Sequence, residues 1–192
     1  MRNIMAACIA AALPGCALAS SLVVNGDFGS DTFSGWQLSG NTHFSRVITE
    51  RVFGRLEHAA VFGPHGSSGT LSQMLNTVAG QSYRLSFDLK SPLASPREFM
   101  HASFGGQLLF SSQDSAFGWE HLSFTVQANA ATSLLSFNYR DDPAFMHLAN
   151  ISVVPVPEPE SAALLGLGLC GVLLARRRRG WSGQKRAETR GR

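Results

Sequence analysis

Few groups in this 192-residue chain could do chemistry, and they are scattered. His43, His58, His65, His101, His121 and His147 stand singly. None has the H-x-x-x-H or H-E-x-x-H spacing that turns two imidazoles toward one metal. Ser67 and Ser68 follow His65 in a glycine-rich stretch, but no G-x-S-x-G elbow raises either as a nucleophile. Paired carboxylates for glycoside hydrolysis are defined by separation in space, so chain spacing neither supplies nor excludes them. A glycan or ester hydrolase has no positive support in these residues, and the chain reads as a non-enzyme. Trp36, in Phe33-Ser34-Gly35-Trp36, and Trp119, in Phe117-Gly118-Trp119-Glu120, are the candidate sugar contacts. An indole offers a flat apolar ring to stack on a sugar and an N–H to donate; its other use is to anchor a core.

Charge and sulfur are both displaced to the ends. The net charge of +3 comes from the region after residue 175, where Arg176, Arg177, Arg178, Arg179, Lys185, Arg186, Arg190 and Arg192 face only Glu188. Residues 20–154 hold seven basic residues against ten acids and are slightly acidic. The pI of about 9.1 therefore belongs to the tail, and no nucleic-acid footprint is present in the body. Cys8, Cys16 and Cys170 leave residues 20–154 without a disulfide or a thiolate metal site.

Residues 1–19 have the order of an export signal: Arg2, an apolar run over 4–13, and Ala17-Leu18-Ala19 as a small-residue cleavage site. Leu13-Pro14-Gly15-Cys16 gives a second, lipoprotein-like reading of the same segment. At the other end, Val156-Pro157-Glu158-Pro159 precedes a run over 162–175 that is entirely apolar or glycine, and Arg176 to Arg179 close it. A helix over 161–175 would be about 22 Å long, short for a hydrocarbon core of about 30 Å, with the arginines as a cytoplasmic stop. Gly166-Leu167-Gly168-Leu169-Cys170-Gly171 fits G-x-G-x-x-G by letter, but no strand pattern precedes it and no acidic residue follows at the needed distance.

Pro-Glu-Pro, short span and basic cluster together resemble the PEP-CTERM sorting signal of Gram-negative bacteria. That resemblance implies recognition by exosortase, a membrane-embedded cysteine protease-transpeptidase. The expected route is export across the inner membrane and transient anchoring there by 161–175. Cleavage near Pro157-Glu158-Pro159 and a place at the cell surface or outside it would follow. Under that reading Glu158 is an element that the protease recognises.

In the body the period is two. Tyr83, Leu85, Phe87 and Leu89 alternate with Arg84, Ser86, Asp88 and Lys90. Leu122, Phe124 and Val126 alternate with polar residues, as do Leu135, Phe137 and Tyr139. Such strands have one buried face. Residues 70–75, 100–104, 108–110 and 146–153 add further short strands, and glycine-containing turns separate the set. An all-β jelly-roll sandwich over 20–154 is the expected fold, flanked by the signal peptide at 1–19 and the sorting region at 155–192.

Leu22-Val23-Val24-Asn25-Gly26-Asp27-Phe28, Gly80-Gln81-Ser82-Tyr83-Arg84-Leu85-Ser86-Phe87 and Leu148-Ala149-Asn150-Ile151-Ser152-Val153 resemble galactose-binding-like, carbohydrate-binding-module β-sandwiches. The resemblance implies an extracellular component associated with exopolysaccharide or biofilm, or a lectin-like module. It also implies a calcium ion between the first and last strands. Here Gly29 and Ala149-Asn150 stand where that family has acids, leaving Asp27 and Asn150 as a weak candidate calcium pair.

Overall fold

The structure is a computed structural model and describes residues 20–63 and 66–157, with Gly166 and Gly168. The expected signal peptide at 1–19, Glu158, Pro159, the expected span over 161–175 apart from Gly166 and Gly168, and Arg176 to Arg179 lie outside the described residues.

Ten strands follow in order: β1 (Gln37–Gly40), β2 (Arg46–Val52), β3 (Arg55–Phe62), β4 (Gly69–Asn76), β5 (Ser82–Ser91), β6 (Phe99–Phe104), β7 (Gln107–Gln113), β8 (Phe117–Gln127), β9 (Thr132–Arg140) and β10 (Met146–Pro155). They form two antiparallel five-stranded sheets, β1-β4-β9-β6-β7 and β2-β3-β10-β5-β8, in the expected sandwich. The alternation read from β5 and β9 holds. Tyr83, Leu85, Phe87 and Leu89 meet Leu135, Phe137 and Tyr139 in one buried cluster, with Phe87 and Phe137 edge to face at 5.2 Å. Each sheet buries its inner face against the other, which is what a period of two with a single apolar side demands.

The β2–β3 hairpin and β1 carry no clean alternation in sequence. In β3 the run Ala59-Ala60-Val61-Phe62 is buried on both faces, so its period is hidden. The outer side is covered because Trp119 packs on Val52, Ala59 and Ala149 there. Early in the chain, residues 22–26 lie along the second half of β10, through Leu22 N–H to the Val153 carbonyl and Ile151 N–H to the Gly26 carbonyl, both 2.8 Å. A side chain at Gly26 would meet the Ile151 carbonyl oxygen at 2.0 Å, so only glycine allows this approach.

The last strand ends where the Pro-Glu-Pro segment begins. Val156 N–H donates to the Ser82 carbonyl at 2.9 Å, and the Gln81 amide donates to the Val156 carbonyl at 2.9 Å. Pro157 is exposed immediately beyond.

Candidate functional site

The outer face of the β2-β3-β10-β5-β8 sheet holds a hydrogen-bonded polar assembly. Register builds it. His147 on β10 lies opposite Lys90 on β5, Ala149 lies opposite Asp88, and Asp88 lies opposite His121 on β8. Alternation turns these residues outward while Leu148, Leu89 and Leu122 turn in.

Trp119 is at the centre. It is half-buried, with Lys90 Nζ 5.6 Å from its ring centroid and the His147 ring edge-on at 6.1 Å. Its indole nitrogen is buried without a hydrogen-bond partner. Glu50 joins the two neighbours: one carboxylate oxygen accepts from Lys90 Nζ at 2.9 Å and the other is bound to His147 Nδ1. Burial alone would raise the Glu50 carboxyl, but the bonds from Lys90 and His147 outweigh it and hold it below its ordinary value. Burial pushes His147 the other way, below its usual range, despite the Glu50 charge. That shift favours the neutral imidazole. With a carboxylate as its partner, Nδ1 must carry the proton, so Nε2 is an acceptor.

Beside this group, Asn150 Nδ2 donates to Glu57 Oε2 at 2.7 Å and to Asp88 Oδ2 at 2.8 Å, and the other Asp88 oxygen is 2.6 Å from His121 Nδ1. Asn150 sits at a bulge in β10 with φ of 52°, which frees its side chain to reach both carboxylates. An aromatic plate rimmed by fixed donors and acceptors is suited to a polyhydroxylated ligand, whose C–H face stacks and whose hydroxyls bond around the edge.

Trp36 is elsewhere. It is 9% exposed, packs with Phe28 and Phe137, and donates its N–H to the Asn25 carbonyl at 3.0 Å. Its ring is part of the core, with no open face left for a sugar. Asp27 and Asn150 flank the Gly26–Ile151 backbone bond. Asp27 Oδ1 accepts from Gly29 N–H at 3.1 Å in its own turn, and the Asn150 amide nitrogen donates to Glu57 and Asp88. Among the described residues no group of three or more His, Cys, Asp or Glu is arranged to hold a metal ion.

A second feature lies at the end of the sandwich opposite Pro157. A cavity of about 210 Å³ is lined by Phe44, Gly63, Asp141, Pro143, Ala144 and Phe145. Asp141 is 2% exposed; one oxygen accepts from Ala144 N–H at 3.1 Å and the other has no partner. Burial, added to by the charges of Glu98 and Asp142, pushes its carboxyl up to about 7.

Residues 155–179 match the PEP-CTERM protein-sorting motif. The chain carries an exosortase sorting signal. The motif marks an exosortase-processed surface protein with a C-terminal membrane anchor, and its match starts at the last residue of β10. Among solved structures, TmCBM61 in complex with β-1,4-galactotriose aligns at TM-score 0.58 and 16% identity, covering 71% of this chain and 99% of that one. The arabinose-bound MgGH51 α-L-arabinofuranosidase aligns at TM-score 0.53 and 16% identity, over 71% of this chain and 26% of that one. The enzymatically active domain of bacteriophage CBA120 tailspike protein 4 aligns at TM-score 0.50 and 17% identity, over 71% and 21%. At these identities the likeness is one of fold: the described residues form a β-sandwich similar to those of carbohydrate-binding modules. No curated protein matches the sequence.

Sequence reasoning found Trp119 and Asn150 as separate candidates and missed Glu50, Glu57, Lys90, His121 and His147 as their neighbours. The polar half of the β5 alternation, Asp88 and Lys90, was the available signal; the partners come from strands far away in sequence.

Proposed function

We propose that the sandwich is a polysaccharide-associated component of the cell surface, delivered by its sorting signal and holding an exopolysaccharide through the outer face of the β2-β3-β10-β5-β8 sheet. Trp119 is the stacking plate, and Glu50, Lys90 and His147 are the hydrogen-bonding rim. The observation that carries this is the half-buried Trp119 ring, framed by Lys90 and His147 and seated on small residues. The shared fold with TmCBM61, which holds a galactotriose, supports a saccharide as the ligand class. Release or retention after exosortase cleavage then depends on the polysaccharide rather than on the lost anchor.

Affinity electrophoresis of the processed protein through gels containing extracted surface polysaccharide tests this reading. Trp119→Ala is expected to migrate freely where the unaltered protein is retarded. Equal migration of the two would refute it.

A further inference from the structure

We propose that the end of the sandwich from which the chain leaves is a lipid-contact face, resting on the headgroups of the bilayer while the precursor is anchored. This goes beyond glycan binding and rests on the C-terminal anchor alone. Topology fixes which end it is. Val156 is tied to Ser82 and Gln81, and Tyr83 lies opposite Pro155. The turns at 53–54, 77–81, 105–106 and 128–131 are at that same end, because β3, β5, β7 and β9 all start there, antiparallel to β10 or level with its finish.

Length brings this end to the membrane. Only residues 157–161 separate Val156 from the apolar run that begins at Ala162. Five residues reach at most about 18 Å even when fully extended. The headgroup layer takes up roughly 6 Å of that on each side of the hydrocarbon core.

Composition suits the end to such contact. Its four turns contain no Asp, Glu, Lys or Arg. It exposes Phe53 (58%), Leu56 (69%) and Val78 (65%). Arg51, whose guanidinium donates to the Gly54 carbonyl at 2.9 Å, and exposed Arg55 flank Phe53. An exposed aromatic between two arginines matches an interface whose surface carries phosphate and whose interior is apolar. The opposite end is unlike it, with Arg97, Glu98, Asp114, Asp141 and Asp142 in its loops.

The test is hydrogen exchange of the full-length chain in nanodiscs of phosphatidylethanolamine and phosphatidylglycerol, one copy per disc, against the same chain in detergent. Amides of 51–56 and 77–81 are expected to exchange about fivefold more slowly in lipid. The protection should disappear in Phe53→Asn/Val78→Ser while β5 and β10 stay protected. Asn accepts the positive φ of Phe53, so the turn is kept. Unchanged exchange at 51–56 and 77–81 would overturn the proposal. So would equal slowing at 141–145, or slowing seen only when discs hold two copies, which would assign the face to self-association.

Discussion

Lys90 places its ammonium 5.6 Å from the Trp119 ring centroid while bonding Glu50 at 2.9 Å, so one cation ties the aromatic plate to the carboxylate rim. Both members of the ion pair are largely shielded, with side-chain exposures of 25% and 16%. Lys90→Met keeps the aliphatic stem and is expected to cost about 1 kcal/mol. Glu50→Ala is expected to cost more, about 2 kcal/mol, because it strips a partner from both Lys90 and His147. Urea denaturation of the single and double variants should give a coupling of about 0.5–1 kcal/mol; strict additivity would show that the contact contributes nothing.

Asp141 makes stability depend on pH with a definite sign. Its carboxyl titrates near 7 in the fold against 3.8 ordinarily, so between those values the folded protein holds a proton that the unfolded chain has released. Stability from this group is present below about pH 4 and is lost as pH rises through 7. Asp141→Asn removes the ionisation. It is expected to be about 1–3 kcal/mol more stable than the unaltered protein at pH 8 and to show no such gain at pH 4. Thermal melts at the two pH values check this, and a constant offset would count against it.

The Asn150 amide is held between Glu57 and Asp88, and its chemistry as a donor is what the site requires. Asn150→Asp places a third carboxylate where the amide stood and is expected to destabilise by about 1–3 kcal/mol. Millimolar calcium should recover part of the loss in the variant and leave the unaltered melt where it was. Insensitivity of the variant to calcium would mean that the three carboxylates do not converge.

What could be read from the sequence follows how each strand is buried. Strands β5 and β9 were legible because one face is apolar and meets the core while the other carries polar residues, which writes a period of two directly into the residue order. Strand β3 was not, because Ala59 is covered from outside by the Trp119 cluster and Val61 is buried as well, and a strand buried on both faces loses its alternation. Trp36 and Trp119 look alike in sequence, each in a Phe- and Gly-containing stretch. They part only when the Phe28 and Phe137 rings enclose one of them and the small side chains of Ala59 and Ala149 make a floor for the other. The pairing of Glu50 with His147 spans 97 residues and depends on sheet order, which no local pattern encodes.

We propose that the chain is cut near Pro157-Glu158-Pro159 and is then held at the surface through the Trp119 face. Intact-mass analysis of surface and medium fractions, from cells expressing the protein with exosortase, tests it most directly. The surface fraction is expected to hold a chain that starts at Ser20 and ends within the Pro157-Glu158-Pro159 segment. Trp119→Ala should appear at the corresponding mass in the medium, and Glu158→Ala should stay full-length at its C-terminus in the membrane. A surface protein that still carries Arg176 to Arg179, or a Trp119→Ala chain retained like the unaltered one, would contradict the account.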